Sequence, residues 1–203
     1  MNKLRGLSIK QKMLKRIFDL FFSLFGILVF FVPILVLIFF ATISTKKMGL
    51  YTQQRVGKNA KLFTMFKIRT MKGKDNDNFI TLKNNNRITP FGKILRQFKF
   101  DELPQLFNVL LGNMSLVGPR PDVIGYADEL VGSDRIILTI KPGITGPATI
   151  KFKNEEMILD SQVNPLQYND EVIWKEKVEI NKKYTENWTL IEDIKLILKT
   201  IFD

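Results

Sequence analysis

The sequence predicts an α+β monotopic membrane protein. An N-terminal helical segment enters the bilayer and turns back at a proline, and a small, mainly helical cytosolic domain with one short β-hairpin follows. Three observations carry this reading. Residues 20–43 are almost wholly apolar, long enough as a helix to cross roughly 30 Å of hydrocarbon. Both flanks of that run are basic. Beyond it, apolar residues recur mostly at helical spacing, with two alternating runs at 50–54 and 62–67. The chain therefore divides into a basic N-terminal segment (1–16), a membrane helix (17–45) and one cytosolic domain (46–203), without repeats, low-complexity stretches or linkers.

The membrane segment is too long for a cleaved leader, and no small-residue cleavage site separates it from Lys46 and Lys47. It can span the bilayer or turn back within it. Positive charge marks the cytoplasmic side. Lys3, Arg5, Lys10, Lys12, Lys15 and Arg16 precede the run, and Lys46, Lys47, Arg55, Lys58 and Lys61 follow it. Val32 and Pro33 sit mid-run. A proline there removes a helical hydrogen bond that lipid cannot replace, which favours a sharp bend at this pair and a re-entrant hairpin.

Composition narrows the chemistry. The 203 residues include neither cysteine nor histidine, which excludes thiol nucleophiles, disulfides, histidine bases and the usual zinc sets. Catalysis must run on carboxylates, Lys, Arg, hydroxyls and an oxygen-loving metal such as Mg²⁺. The net charge of +11 calls for anionic partners: nucleic acid, acidic headgroups or phosphorylated substrates. The N-terminal charges form a polybasic juxtamembrane layout. The remaining basic residues are scattered and no nucleic-acid motif is present, so nucleic acid is not expected as a partner.

Along the domain, residues 51–71 read as a hairpin with its turn through Gly57-Lys58-Asn59. Residues 73–86 are a polar loop. Thr89 and Pro90 start a helix that carries Arg96. Asp101 and Glu102 open a further helix, with Leu103, Leu106, Phe107 and Leu110 on one buried face and Gly112 at its end. Residues 126–130 look helical and 136–140 extended. A Gly- and Pro-rich turn covers 141–147. Two helices, 172–184 and 190–202, finish the chain, the second with a Thr189…Glu192 capping box.

The chemistry concentrates in residues 96–121. Asp101 and Glu102 at a helix start read either as ordinary capping acids or as a functional pair at a terminus that also suits phosphate. Gly118-Pro119-Arg120-Pro121 favours the second reading, because two prolines stiffen the loop around one guanidinium suited to bidentate phosphate binding. Lys67, Arg69 and Thr70 are either solvated strand residues or ligands of diphosphate oxygens and metal-bound water.

Asp101-Glu102-Leu103-Pro104-Gln105-Leu106, Asn108-Val109-Leu110 and Met114-Ser115-Leu116-Val117-Gly118-Pro119-Arg120-Pro121 resemble the signature of the bacterial sugar transferases, the monotopic polyprenyl-phosphate phosphoglycosyl transferases. Gln54-Arg55-Val56-Gly57 and Phe66-Lys67-Ile68-Arg69-Thr70-Met71 are similar to two further motifs of that family, and residues 148–156 resemble its small single-domain members. The resemblance runs from about Lys15 to near the end of the chain. It implies transfer of a sugar-1-phosphate from a UDP-sugar to a membrane polyprenyl phosphate, at the cytoplasmic face of the bacterial inner membrane. That would be the initiating step of a surface glycan pathway. In such a reaction Asp101 would be the nucleophile and Glu102 a ligand of Mg²⁺ beside it, so that the pair forms the metal site. Arg96 and Arg120 would clamp phosphate oxygens, and Lys141, Gly143 and Thr145 would lie near the nucleotide. The family holds its membrane helix as a Pro-broken re-entrant hairpin, often with Ser where this chain has Val32. The competing reading is a non-catalytic polybasic membrane module that scaffolds glycan assembly. The sugar, lipid length and oligomeric state are not legible.

Overall fold

A computed structural model describes residues 6–73 and 87–202. The expected polar loop at 73–86 lies outside the described residues except for Gly73.

Helix α1 (Ile9–Thr45) is one unbroken helical run with Val32 and Pro33 inside it. Ser8 and Gln11 cap its start reciprocally. Its buried residues are Lys15, Asp19, Ser23, Ile27, Ile34, Ala41 and Thr45. Their spacing of four or seven keeps one face toward the domain on both sides of the proline. The other faces expose Phe21, Leu28, Val32 and Phe39. Among the described residues, α1 alone is long and apolar enough to cross a membrane.

Strands β1 (Leu50–Val56) and β2 (Leu62–Ile68) form the expected antiparallel hairpin, with Tyr51 opposite Lys67. Helix α2 (Pro90–Gln97) starts at Thr89, whose hydroxyl accepts from the Gly92 amide. Ala41 of α1, Ile68 of β2 and Leu95 of α2 then pack as one cluster with Leu37, Ile38 and Phe91.

Asp101 and Glu102 do not begin the next α-helix, contrary to expectation. They occupy a 3₁₀ turn at Phe100–Glu102, and α3 spans Gln105–Leu111. Pro104 is the cause, because it cannot donate the i→i−4 bond. The amides of Leu103, Leu106 and Phe107 reach back three residues instead, to Phe100, Leu103 and Pro104. The expected apolar face is also displaced. Gln105, Asn108 and Val109 are the buried residues of α3, while Leu106 lies against Gly26 of α1. Asn108 docks on β2 as a strand neighbour would: its side-chain amide donates to Thr64 O at 2.7 Å and accepts from Phe66 N at 2.9 Å.

A second sheet, absent from the sequence reading, pairs β3 (Ser115–Val117) in parallel with β4 (Gly143–Thr145). Any Cβ at Gly143 or Gly146 would collide with Gly118, so these glycines allow the 118–121 loop to lie against the 141–147 turn. Residues 136–140 are not extended; Gly132–Thr139 is a 3₁₀ stretch. Ile136, Ile137 and Leu138 are all buried in succession, which a strand with one solvated face cannot achieve. Residues 126–130 contain only a 3₁₀ turn, Ala127–Glu129.

Three short helices follow: α4 (Pro147–Lys151), α5 (Glu155–Asp160) and α6 (Pro165–Tyr168). A π-helical turn (Asn169–Ile173) leads into α7 (Trp174–Glu186). The last helix is α8 (Leu190–Phe202), capped by Thr189 through the Glu192 amide. Its Leu196 joins Leu7, Val117, Ile140, Tyr184 and Trp188 in a core cluster that ties both chain ends to β3.

Candidate active site

One cavity of about 260 Å³ gathers most of the chemistry-bearing side chains. The hairpin contributes Lys67 from β2. The end of α2 contributes Arg96, followed by Lys99 in left-handed geometry and then Asp101 and Glu102 on their 3₁₀ turn. Arg120 and Asp122 come from the stiff loop after β3. The opposite wall is built from Thr149 of α4, Phe152 and Lys153, Glu155 and Glu156 of α5, and one face of α7 that carries Trp174, Lys177 and Asn181.

The two adjacent carboxylates are in opposite states. Glu102 Oε1 accepts from Lys67 Nζ and from Arg120 Nη2, each at 3.0 Å. Burial alone would raise its pKa, but Lys67 and Arg120 together outweigh that cost and hold the carboxyl at about 2. Asp101 is 8% exposed, and its carboxylate makes no hydrogen bond or ion pair among the described residues. Burial raises its pKa above the ordinary 3.8, with Glu102 adding to the rise and Lys67 opposing it. Asp122 is likewise raised by burial, to about 6, against the pull of Lys177 and Arg55.

Several cations already hold protein acids. Arg96 pairs with Glu156 at 2.6 Å and Lys177 with both oxygens of Glu155 at 2.6 and 2.7 Å. Yet Arg96 Nη1, Thr149 Oγ1 and Asn181 Oδ1 are buried without a hydrogen-bond partner, and all three residues line this cavity. Orphaned buried polar atoms are costly. Their gathering in one cavity is what a polar ligand would relieve.

The structure thus brings together Lys67, Arg96, Asp101, Glu102 and Arg120. It does not bring the other expected residues into the cavity. Arg69 donates to Met48 O and lies 4.9 Å over the Tyr51 ring. Thr70 accepts the Thr89 amide at its carbonyl. Lys141 lies near Arg16 at the far end of α3. Gly143 is a strand residue beside Gly118, and Thr145 shares a 2.6 Å hydroxyl contact with Thr200. Sequence reasoning missed Lys99, Asp122, Thr149, Phe152, Lys153, Glu155, Glu156 and the α7 face. Thr149 to Glu156 carried a signal in the resemblance noted for residues 148–156, and Trp174, Lys177 and Asn181 carried one in their i, i+3, i+7 spacing.

Among the described residues no group of three or more acidic side chains could enclose an ion. An ion beside Asp101 would have that carboxylate and the second oxygen of Glu102 available, and would need substrate phosphate oxygens and water to complete its shell. Mg²⁺ is commonly held in that way.

The bacterial sugar transferase family profile matches residues 10–203. The chain is 33% identical to an uncharacterized sugar transferase, EpsL, of Bacillus subtilis, over 93% of this chain and 85% of that protein. It is 33% identical to the undecaprenyl-phosphate galactose phosphotransferase of Salmonella typhimurium, and 34% identical to a UDP-glucose:undecaprenyl-phosphate glucose-1-phosphate transferase of Klebsiella pneumoniae. These matches cover 94% and 93% of this chain but 40% and 39% of the larger relatives. With the family profile spanning nearly its whole length, the chain belongs to the bacterial sugar transferases.

Proposed function

We propose that this protein transfers a sugar-1-phosphate from a UDP-sugar to a membrane polyprenyl phosphate through a covalent intermediate on Asp101. The observation that carries this reading is the pair of neighbouring carboxylates in opposite electrostatic states on one cation-lined cavity. Glu102, held at about 2, is ionised at neutral pH and engaged by Lys67 and Arg120. Asp101 is buried, unengaged and poorly solvated, which suits a nucleophile. Asp101 attacks the sugar-bearing phosphorus, and the bond to the UMP oxygen breaks with its electron pair leaving on UMP. A phosphate oxygen of the lipid then attacks the same phosphorus and the bond to Asp101 breaks, giving the polyprenyl-diphosphate sugar. Arg96 and Arg120 orient and neutralise the diphosphate, which otherwise repels a carboxylate. Thr149 and Asn181, on the opposite wall, are the uncommitted polar groups available to the nucleoside. Glu102 and Asp101 would hold Mg²⁺, which when bound supplies charge neutralisation at the phosphates.

A UMP-release assay with purified protein, polyprenyl phosphate and a panel of UDP-sugars tests the reaction. No release with any donor would leave the scaffold reading in place. Glu102→Gln is expected to keep some adduct formation while raising the Mg²⁺ concentration needed for half-maximal rate. An unchanged Mg²⁺ dependence, or full wild-type activity in EDTA, would remove Glu102 from the metal site.

The same proposal includes a re-entrant α1 with the catalytic domain on the cytoplasmic face. Its support is that both arms of α1 reach the same domain. Arg16 donates to Val109 O and Leu110 O at 2.7 and 2.9 Å, and beyond Pro33 Ala41 packs with Ile68 and Leu95. A straight 37-residue helix is about 55 Å long, so a spanning helix would carry one end across the bilayer from a one-sided domain. Cysteines placed at Lys3 and Lys58 are expected to react with an impermeant reagent only from the cytoplasmic side. Labelling from opposite sides would establish a span.

A further inference from the structure

A second, smaller concavity of about 80 Å³ lies at the C-terminal end of α3, away from the Asp101 turn at the helix start. Its walls include Lys12 and Arg16 of α1, Lys58 of the hairpin turn and Lys141 of the loop before β4. The acid among its walls, Asp19, is already engaged: it accepts from Ser115 Oγ and the Leu116 amide, each at 3.0 Å. Lys15, also at this concavity, is engaged by Asp193. Arg16 closes the carbonyl end of α3. The side-chain ammonium groups of Lys12, Lys58 and Lys141 have neither a hydrogen bond nor an ion pair among the described residues.

A Cβ built on Gly112 would stand 3.3 Å from Arg16 Nη2 and 3.4 Å from Lys141 Nζ. Arg16 and Lys141 thus both reach the C-cap of α3. Burial, together with Arg16 and Lys58, holds the Lys141 ammonium below its usual pKa, against the opposing pull of Asp19. Lys12, Arg16, Lys58 and Lys141 outnumber the one acid, Asp19, at this concavity; such an excess of like charge is unfavourable, and an anion between them would reverse that cost.

The surroundings select the kind of anion. On the same turns of α1 that supply Lys12 and Arg16, Ile9, Met13 and Ile17 are 78%, 60% and 63% exposed. They continue directly into the exposed apolar surface of the membrane segment. A ligand seated here meets basic side chains on one side and an apolar surface on the other, the pattern of a lipid at the interface. The space suits one phosphate-sized headgroup and not a nucleotide.

We infer that Lys12, Arg16, Lys58 and Lys141 form a binding site for the phosphate headgroup of an anionic membrane lipid, separate from the catalytic cavity. The site joins α1 to the hairpin turn and to the loop before β4, so an occupied site holds the domain at a set depth on the membrane. This assignment does not depend on the reaction proposed above.

The test is calorimetric titration of the full chain in neutral detergent with dihexanoyl phosphatidic acid, alongside dihexanoyl phosphatidylcholine and inorganic phosphate. Wild type is expected to bind the anionic lipid in preference to both controls. The double variant Lys12→Gln/Lys58→Gln should bind it about 25-fold more weakly, at about fivefold per lysine, while Lys12→Arg/Lys58→Arg retains binding. Neither lysine has a partner to lose, so both variants should unfold at the wild-type temperature. Unchanged affinity in the glutamine variant overturns the site. Equal binding of phosphatidylcholine shows an apolar surface only, and equal binding of inorganic phosphate shows a free-anion site; either result overturns the headgroup assignment.

Discussion

Asp101→Asn is expected to abolish both UMP release and the covalent phosphosugar adduct, with a rate loss on the order of 10⁴-fold or more, as for removal of other enzymic nucleophiles. The fold should survive. Burial without a partner raises the pKa of Asp101, so its ionised form is disfavoured in the folded state. Stability from this group is therefore lost as pH rises from the unfolded value near 3.8 through the higher folded value. At neutral pH the asparagine variant should then unfold at the same temperature as wild type or above it, as when a functional group is held at a cost in stability. Intact-protein mass spectrometry after incubation with a UDP-sugar and no lipid acceptor reads the adduct. A sugar-phosphate mass on Asp101→Asn, or one mapped to another residue, would falsify the assignment. The pH profile of kcat/KM offers a second check. Glu102, held at about 2, stays ionised throughout the working range, so the acid limb belongs to Asp101 or to Asp122, raised to about 6. Asp122→Asn should leave an acid limb in place above the ordinary aspartate range.

Asp193→Leu should be the most destabilising substitution, through a route unrelated to the cavity. Asp193 is fully buried and accepts from Lys15 Nζ at 2.5 Å, Tyr184 Oη at 2.5 Å and Trp188 Nε1 at 3.0 Å. Its removal leaves the Lys15 ammonium buried without its ion-pair partner, which costs about 3–5 kcal/mol. The double variant Lys15→Met/Asp193→Leu removes both charges and should recover most of that loss, since well-packed apolar replacements of buried pairs are often close to neutral. Chemical denaturation in detergent reads both. A single Asp193→Leu variant within about 1 kcal/mol of wild type would show that water reaches the pair and that α8 is not anchored through it. The expected phenotype in cells is low abundance, with per-molecule kcat unchanged.

The active-site chemistry was legible in one stretch because its elements are local. The Asp101–Glu102 pair and the proline-bounded Arg120 lie within twenty residues of each other, and their residue types leave few alternatives once cysteine and histidine are absent. The hairpin, the Thr89 cap and α8 were legible for the same reason, since periodicity and capping act over a few residues. The apolar run was visible from composition alone.

Tertiary structure decided the rest. Pro104 separated the acid pair from α3 by a tight turn, and Asn108 docked that helix on β2 by imitating a strand. Three consecutive buried residues made 136–138 helical where an isolated apolar run reads as extended. No local pattern announces a parallel pairing of β3 with β4, or an ion pair between Lys15 and Asp193 across 178 positions. The split between the two carboxylates is of the same kind. Adjacent acids are chemically alike in sequence. Only the placement of Lys67 and Arg120 on one of them, and of burial without a partner on the other, holds Glu102 ionised and disfavours the ionised form of Asp101, because electrostatic energy depends on distance and solvation in space.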